Sequence, residues 1–159
     1  RCRGRVIQPG DLVHIQIGAR YQGYASTIGR AVVMGKATEA QRQLIEASLA
    51  GQKAILATAR AGVNAKEVSD AHYQAIKELG QEQHLLYGPC HGTGLMEGEY
   101  PWIESNSDYP LEEGMTFCTC VYLGDDENKM GVRFEDGFLV TRDGAESFSD
   151  YRRELIEIM

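Results

Sequence analysis

The 159 residues carry a net charge of −7, with 43% hydrophobic and 25% charged side chains. That acidic balance speaks against a nucleic-acid surface or an anionic membrane as partner, and the length fits a single domain with a sizeable core. No apolar run reaches the roughly 18 residues of a spanning helix, and no signal peptide opens the chain.

Four cysteines, Cys2, Cys90, Cys118 and Cys120, do not make a disulfide framework in a chain this long, so free thiols in a reducing cytoplasm are expected. The sequence opens at Arg1 rather than Met, which reads as a fragment or processed piece. Arg1 to Gly10 is an entry segment ending in a Pro9-Gly10 turn, where Asp11 caps local backbone N–H groups. Leu12 to Ile17 alternates, with Val13, Ile15 and Ile17 on one face, and predicts a half-buried strand. Gly18 to Gly23 reads as a turn and Tyr24 to Met34 as the return strand, closed by Gly35.

Thr38 followed by Gln41 is a capping-box signature for a first helix that Gly62 stops, with Leu44, Ala47, Leu49, Ile55 and Ala59 on its apolar face. Asn64 and Glu67 repeat that signature for a second helix ending at Gly80. His72 lies beside the second helix's apolar stripe as a packing or boundary residue, and His84 falls in a polar loop without a role. Gly88 to Pro101, GPCHGTGLMEGEYP, sets His91 among glycines that permit sharp bends and close approach. Loop and hairpin material with Trp102, Asn106 and Asp108 follows, then a strand from Met115 to Tyr122. An acidic turn from Gly124 to Gly131 and a partner strand from Val132 to Thr141 come next. The tail from Tyr151 to Met159 reads as a short helix or an edge segment. Hairpin, two helices and further hairpins make an α+β chain without linker or exact repeat.

In order and spacing, GDLVHIQIGA, GYASTIGR, CHGTGL with EYP, LEEGMTF and VRFEDGFLVTRDG resemble the pita-bread hydrolases. That family includes methionine aminopeptidases, Xaa-Pro dipeptidases and aminopeptidases, and creatinase. The resemblance runs from about Gly10 to Leu155 and implies a curved antiparallel sheet backed by helices. It also implies that residues 1–159 form one partial domain, lacking the first helices and a strand.

Most family enzymes hold two metal ions on two Asp, one His and two Glu. Carried over position by position, the resemblance finds Gln16 and Thr27 at the Asp positions, His91 at the His and Cys120 at the first Glu. Glu135 fills the last Glu, and Gly98 replaces a further His that touches substrate in the peptidases. Two hard cations need anionic oxygens around them, so the two-metal reaction is expected to be lost and no metal cofactor is expected.

Three readings follow. In the first, as in creatinase, the hydrolase is metal-free and cleaves a C–N bond of a small amide or guanidino compound. His91 serves as general acid/base and Glu135 holds the substrate, with His14, Gln16, Thr27, Cys120 and Arg133 lining the pocket. In the second, the fold is a non-catalytic binding module, as in the N-terminal module of a histone chaperone. In the third, His91, Cys118, Cys120 and Glu135 form a rebuilt site for a single zinc or other divalent ion, or Cys120 acts as nucleophile beside His91. An ion pair between Arg133 and Asp136 is expected beside Glu135, and Trp102 with Tyr100 could line the pocket. The expected partners are a small-molecule or peptide-like substrate, no nucleic acid and no membrane, with a homodimer in the full-length parent.

Overall fold

The structure is a computed structural model that describes residues 4–159. Cys2 and the start of the entry segment lie outside the described residues. The strands are β1 (Leu12–Tyr21), β2 (Tyr24–Met34), β3 (Cys90–Gly92), β4 (Glu99–Ile103), β5 (Thr116–Asp125), β6 (Met130–Val140), β7 (Ala145–Ser147) and β8 (Ile156–Ile158). The helices are α1 (Glu39–Thr58) and α2 (Ala65–Glu78), and a 3-10 turn spans Glu82–His84. No helix among the described residues is long and apolar enough to cross a membrane.

Both capping boxes form as the sequence predicts. Thr38 Oγ1 accepts from Gln41 N at 3.2 Å while Gln41 Oε1 accepts from Thr38 N at 3.0 Å. Gln41 Nε2 also donates to Gly10 O at 2.9 Å, tying the helix start to the turn before β1. Asn64 and Glu67 do the same for α2, where Asn64 Oδ1 accepts from Lys66 N at 2.9 Å. Each helix ends slightly before the glycine that the sequence marks, at Thr58 and Glu78, with Gly62 (φ +87°) and Gly80 (φ +66°) turning the chain away.

The main path through the sheet is β1-β2-β6-β5-β3-β4, with β7 beside β6 and β8 beside β2. Three sequence expectations change here. First, β1 runs on to Tyr21, the turn shrinks to Gln22 and Gly23, and from His14 onward the strand is exposed rather than half-buried. The reason is its place at the sheet edge, because α1 lies across β5 and β6. Second, the acidic turn is confined to residues 126–129. Third, β8 runs parallel to β2, so the sheet is not wholly antiparallel, while the tail takes the edge-segment alternative rather than the helix.

One face of β5 and β6 builds the core against α1. Phe117, Phe134, Phe138, Val121 and Val132 are fully buried there with Leu44, Ile45 and Ile55, and Phe117 stacks on Phe138 at 5.8 Å between centroids. Polar groups inside this layer are tied down. Gln52 Nε2 donates to Thr119 Oγ1 (2.9 Å) and Asp136 Oδ2 (3.0 Å), and Ser48 Oγ donates to Val121 O (3.0 Å). The expected Arg133–Asp136 pair does not form. Neighbouring residues on a strand face opposite sides, so Asp136 points into the helix layer, where it pairs with Arg30 (3.0 Å) and Arg153 (2.8 Å).

His72 is 1% exposed between the helices, as the packing expectation has it, and neither ring nitrogen has a hydrogen-bond partner. Burial pushes its pKa down from 6.5 to about 4, opposed weakly by the Gly51 backbone. The unfolded chain therefore takes up this proton at a higher pH than the folded one. The stability held by neutral His72 is complete above pH 6.5, is lost as pH falls from 6.5 towards 4, and amounts to on the order of 3 kcal/mol. Urea unfolding at pH 7 and pH 4.5 should show this loss in the native sequence and a smaller one in His72→Met. Equal pH dependence in both chains would mean that other groups carry it.

Candidate active site

Register brings the site together on the sheet face opposite the helices. Gln16 pairs with Gly29, Gly29 with Glu135, and Glu135 with Cys120, making one row across β1, β2, β6 and β5. Two residues along, Thr27 lies on the same face of β2, and Cys118 on β5 pairs with His91 on β3. Five strands thus deliver the predicted residues to a common surface. Gly29 matters to this row, because a Cβ there would stand 3.0 Å from Glu135 Cβ and 3.2 Å from its Oε2.

Glu135 is fully buried. Its Oε1 accepts from the Arg133 guanidinium and from Cys120 Sγ (3.0 Å), and Arg133 Nη2 also donates to Cys120 Sγ at 2.9 Å. The Tyr87 hydroxyl closes the group at 3.3 Å from Cys120 Sγ, and Arg133 lies over the Tyr87 ring at 6.0 Å. Burial first, then the Glu135 charge, push the Cys120 thiol up to about 12, against the pull of Arg133. The surroundings thus shift Cys120 away from the thiolate form that a nucleophilic cysteine uses. Cys90 and Cys118 are likewise free, buried and raised. Glu135 Oε2 is buried with no partner among the described residues.

His91 is 5% exposed, and Trp102 packs edge-on against it with centroids 5.4 Å apart. Its Nδ1 lies 2.9 Å from Gly92 O. Only an N–H can make that bond, so Nδ1 carries a hydrogen and Nε2 is the nitrogen that faces the site. Nε2 lies 3.8 Å from Glu97 Oε1, which accepts from Thr27 Oγ1 at 3.2 Å. Gly98 leaves the ring flank open, as a Cβ there would come 3.7 Å from His91 Nδ1.

His14 stands to one side, lining a cavity of about 690 Å³ with Arg5, Gln41 and Lys129. Burial and then the Arg133 charge lower its pKa. Gln16 faces the site from the exposed edge strand. The donor atoms of His91, Cys120 and Glu135 lie within 4.8 Å of one another, whereas Cys118 falls outside that group and turns its Sγ to Thr119 O at 3.3 Å. Trp102 is partly exposed and Tyr100 largely so, and both flank the site.

Two members escaped sequence reasoning. Tyr87 sits in an apolar run, and Glu97 lies inside the glycine-rich segment immediately before Gly98. Neither carries a spacing signal, because a loop's curl and not a period brings each to the site.

A two-metal centre does not fit these residues. Gln16 and Thr27 are neutral, Cys120 offers sulfur where a hard ion takes oxygen, and a guanidinium already takes up the oxygen of Glu135 and the sulfur of Cys120. A single soft ion on His91, Cys120 and Glu135 would have to displace Arg133.

Sheet and helices define a peptidase-type fold. The family model for metallopeptidase family M24 matches residues 1–142, and the chain belongs to that family. It is 37% identical over 152 residues to the Xaa-Pro dipeptidase of Pyrococcus furiosus, covering 94% of this chain and 43% of that protein. The prolidase of Pyrococcus horikoshii OT3 superposes with a TM-score of 0.90 at 34% identity over 96% of this chain and 44% of the other. The N-terminal domain of the FACT complex subunit SPT16 from Cicer arietinum superposes with a TM-score of 0.87 at 17% identity, over 100% of this chain and 42% of the other, which shows the fold alone. The pita-bread fold is thereby established, and the chain spans less than half the length of the relatives it matches.

Proposed function

We propose that this chain carries a prolidase-like site that no longer runs two-metal peptide hydrolysis and instead cleaves a C–N bond of a small amide or guanidino compound without metal. One observation carries the reading: the Arg133 guanidinium holds Glu135 and Cys120 together, supplying from the protein the positive charge next to the last carboxylate. His91 Nε2 takes a proton from water as its oxygen bonds to the substrate carbon. The same nitrogen then returns the proton to the departing amine as the C–N bond breaks. This reading assigns to Glu135 Oε2, which is buried with no partner among the described residues, the role of accepting an N–H of the bound compound. A peptide-like substrate, one partial domain, a homodimeric parent and a cytoplasmic setting belong to this reading.

The test is hydrolysis by the intact parent protein of Xaa-Pro dipeptides, creatine and simple amides, with and without chelator, alongside manganese, cobalt and zinc titrations. Chelator-insensitive turnover with no tight metal binding is expected. Two tightly bound equivalents of a hard metal would overturn the assignment, and one equivalent of zinc lost on Cys120→Ala would favour the rebuilt site. The same Arg133–Glu135 pair favours one second reading, a binding module, since it leaves the last carboxylate neutralised. Ligand binding without turnover of any compound would select it.

A further inference from the structure

The loop between β3 and β4 brings in a carboxylate that the reaction above does not use. Thr27 stands where the resemblance expects the second Asp, and it is buried. Glu97 reaches that place from the loop, accepting from Thr27 Oγ1 at 3.2 Å with its Oε1 3.8 Å from His91 Nε2. The charge missing from the strand is thus delivered by a neighbouring segment.

The loop is held in place. Ala25 N donates to Gly94 O at 2.7 Å, Arg20 Nη1 to Leu95 O at 3.3 Å, and Met96 N to Glu99 Oε2 at 2.8 Å. The Glu97 side chain is 47% exposed, so a ligand can reach it.

The charges do not balance there. Arg133 is paired with Glu135, and Arg20 donates to the carbonyls of Gly23 and Leu95. Among the described residues, His91 is the one basic group within ion-pair distance of Glu97. At 3.8 Å from Nε2 the Glu97 oxygen makes no hydrogen bond to His91, and among the described residues Thr27 is its one donor. A half-exposed carboxylate with one hydroxyl donor leaves room for a positively charged N–H, which makes the stronger bond to it. The flanking wall suits such a group as well, because Trp102 packs on His91 and Tyr100 packs on Trp102 with centroids 6.2 Å apart.

We propose that Glu97, held by Thr27, forms an anionic subsite beside His91 for a cationic nitrogen group, an ammonium or a guanidinium, on the substrate. Glu97 selects the ligand and takes no part in bond making. Calling that ligand a substrate rests on the C–N cleavage reading, but the subsite itself does not.

The test is calorimetric titration of the intact parent protein and its Glu97→Gln variant with two matched pairs. One pair is methylguanidinium and its neutral counterpart N-methylurea. The other is glycyl-proline and N-acetylglycyl-proline. At least one cation should bind about tenfold or more tightly than its neutral partner, and Glu97→Gln should abolish that preference by weakening the cation. Preference within the first pair alone identifies a guanidino group, and within the second alone a peptide amino terminus. Equal affinities within both pairs, no binding of any probe, or a preference that survives in Glu97→Gln overturns the subsite. The exposed side chain and isosteric change should leave the melting temperature unaltered, so a folding defect is recognised separately. Affinity is read independently of turnover: His91-dependent turnover without cation preference sinks the subsite alone, and cation preference without turnover sinks only the cleavage reading.

Discussion

Replacing Asp136 by Ala should destabilise the chain by about 3–5 kcal/mol, the cost of breaking a buried ion pair from one side. Asp136 is fully buried, and its oxygens hold Arg30, Arg153 and Gln52. Arg30 is itself 5% exposed and donates further to the carbonyls of Gly29, Glu135, Tyr151 and Arg152. Removing the carboxylate strands a guanidinium inside the protein and loosens the connection that brings the segment before β8 back onto β2. Chains of this size are stable by about 5–15 kcal/mol, so a large share of the total is at stake. Urea unfolding at neutral pH measures it, and the midpoint of thermal unfolding should fall by roughly 6–20 °C. Asp136→Asn retains one acceptor oxygen and should cost less. A loss below about 1 kcal/mol in Asp136→Ala would mean that the backbone carbonyls alone satisfy Arg30.

The second large effect concerns chemistry. His91→Ala should lower any chelator-insensitive C–N cleavage by about 10²–10⁴-fold, the usual contribution of a positioned general acid/base. The geometry of His91 suits proton transfer, since Nδ1 is fixed by Gly92 O and Nε2 faces Glu97 and the buried carboxylate row. The substitution also removes a ring packed on Trp102, so the melting temperature must be recorded beside the rate. A rate that survives in a folded His91→Ala chain would sink the assignment, since the described residues place no other imidazole in the cluster with Cys120 and Glu135. His14, the next nearest in role, lines a separate cavity beyond Arg133.

Local rules made much of this protein readable. Thr38 with Gln41 and Asn64 with Glu67 announce helix starts because each pair satisfies N–H groups that a first turn leaves open, a matter of three residues' spacing. The order of short motifs was enough to name the fold, and carrying the ligand positions over one by one was enough to raise the expectation that Gln16, Thr27 and Cys120 do not hold two hard cations. These features depend on residue identity and near neighbours, so they could be read before any coordinates.

Partner choice across the sheet was another matter. Whether Arg133 meets Asp136 or Glu135 depends on which face of β6 each side chain takes and on what the facing strand and α1 supply. The exposure of Ile15 and Ile17 depended on β1 lying at an edge, beyond the reach of α1. Cys118 left the expected cluster although it shares a face with Cys120, because its sulfur turned to Thr119 O while that of Cys120 met Glu135. Glu97 entered the site through the curl of a glycine-rich loop. These pairings emerged only in the folded chain, since electrostatic and hydrogen-bond energies act over a few ångströms in space and carry no fixed separation along the sequence.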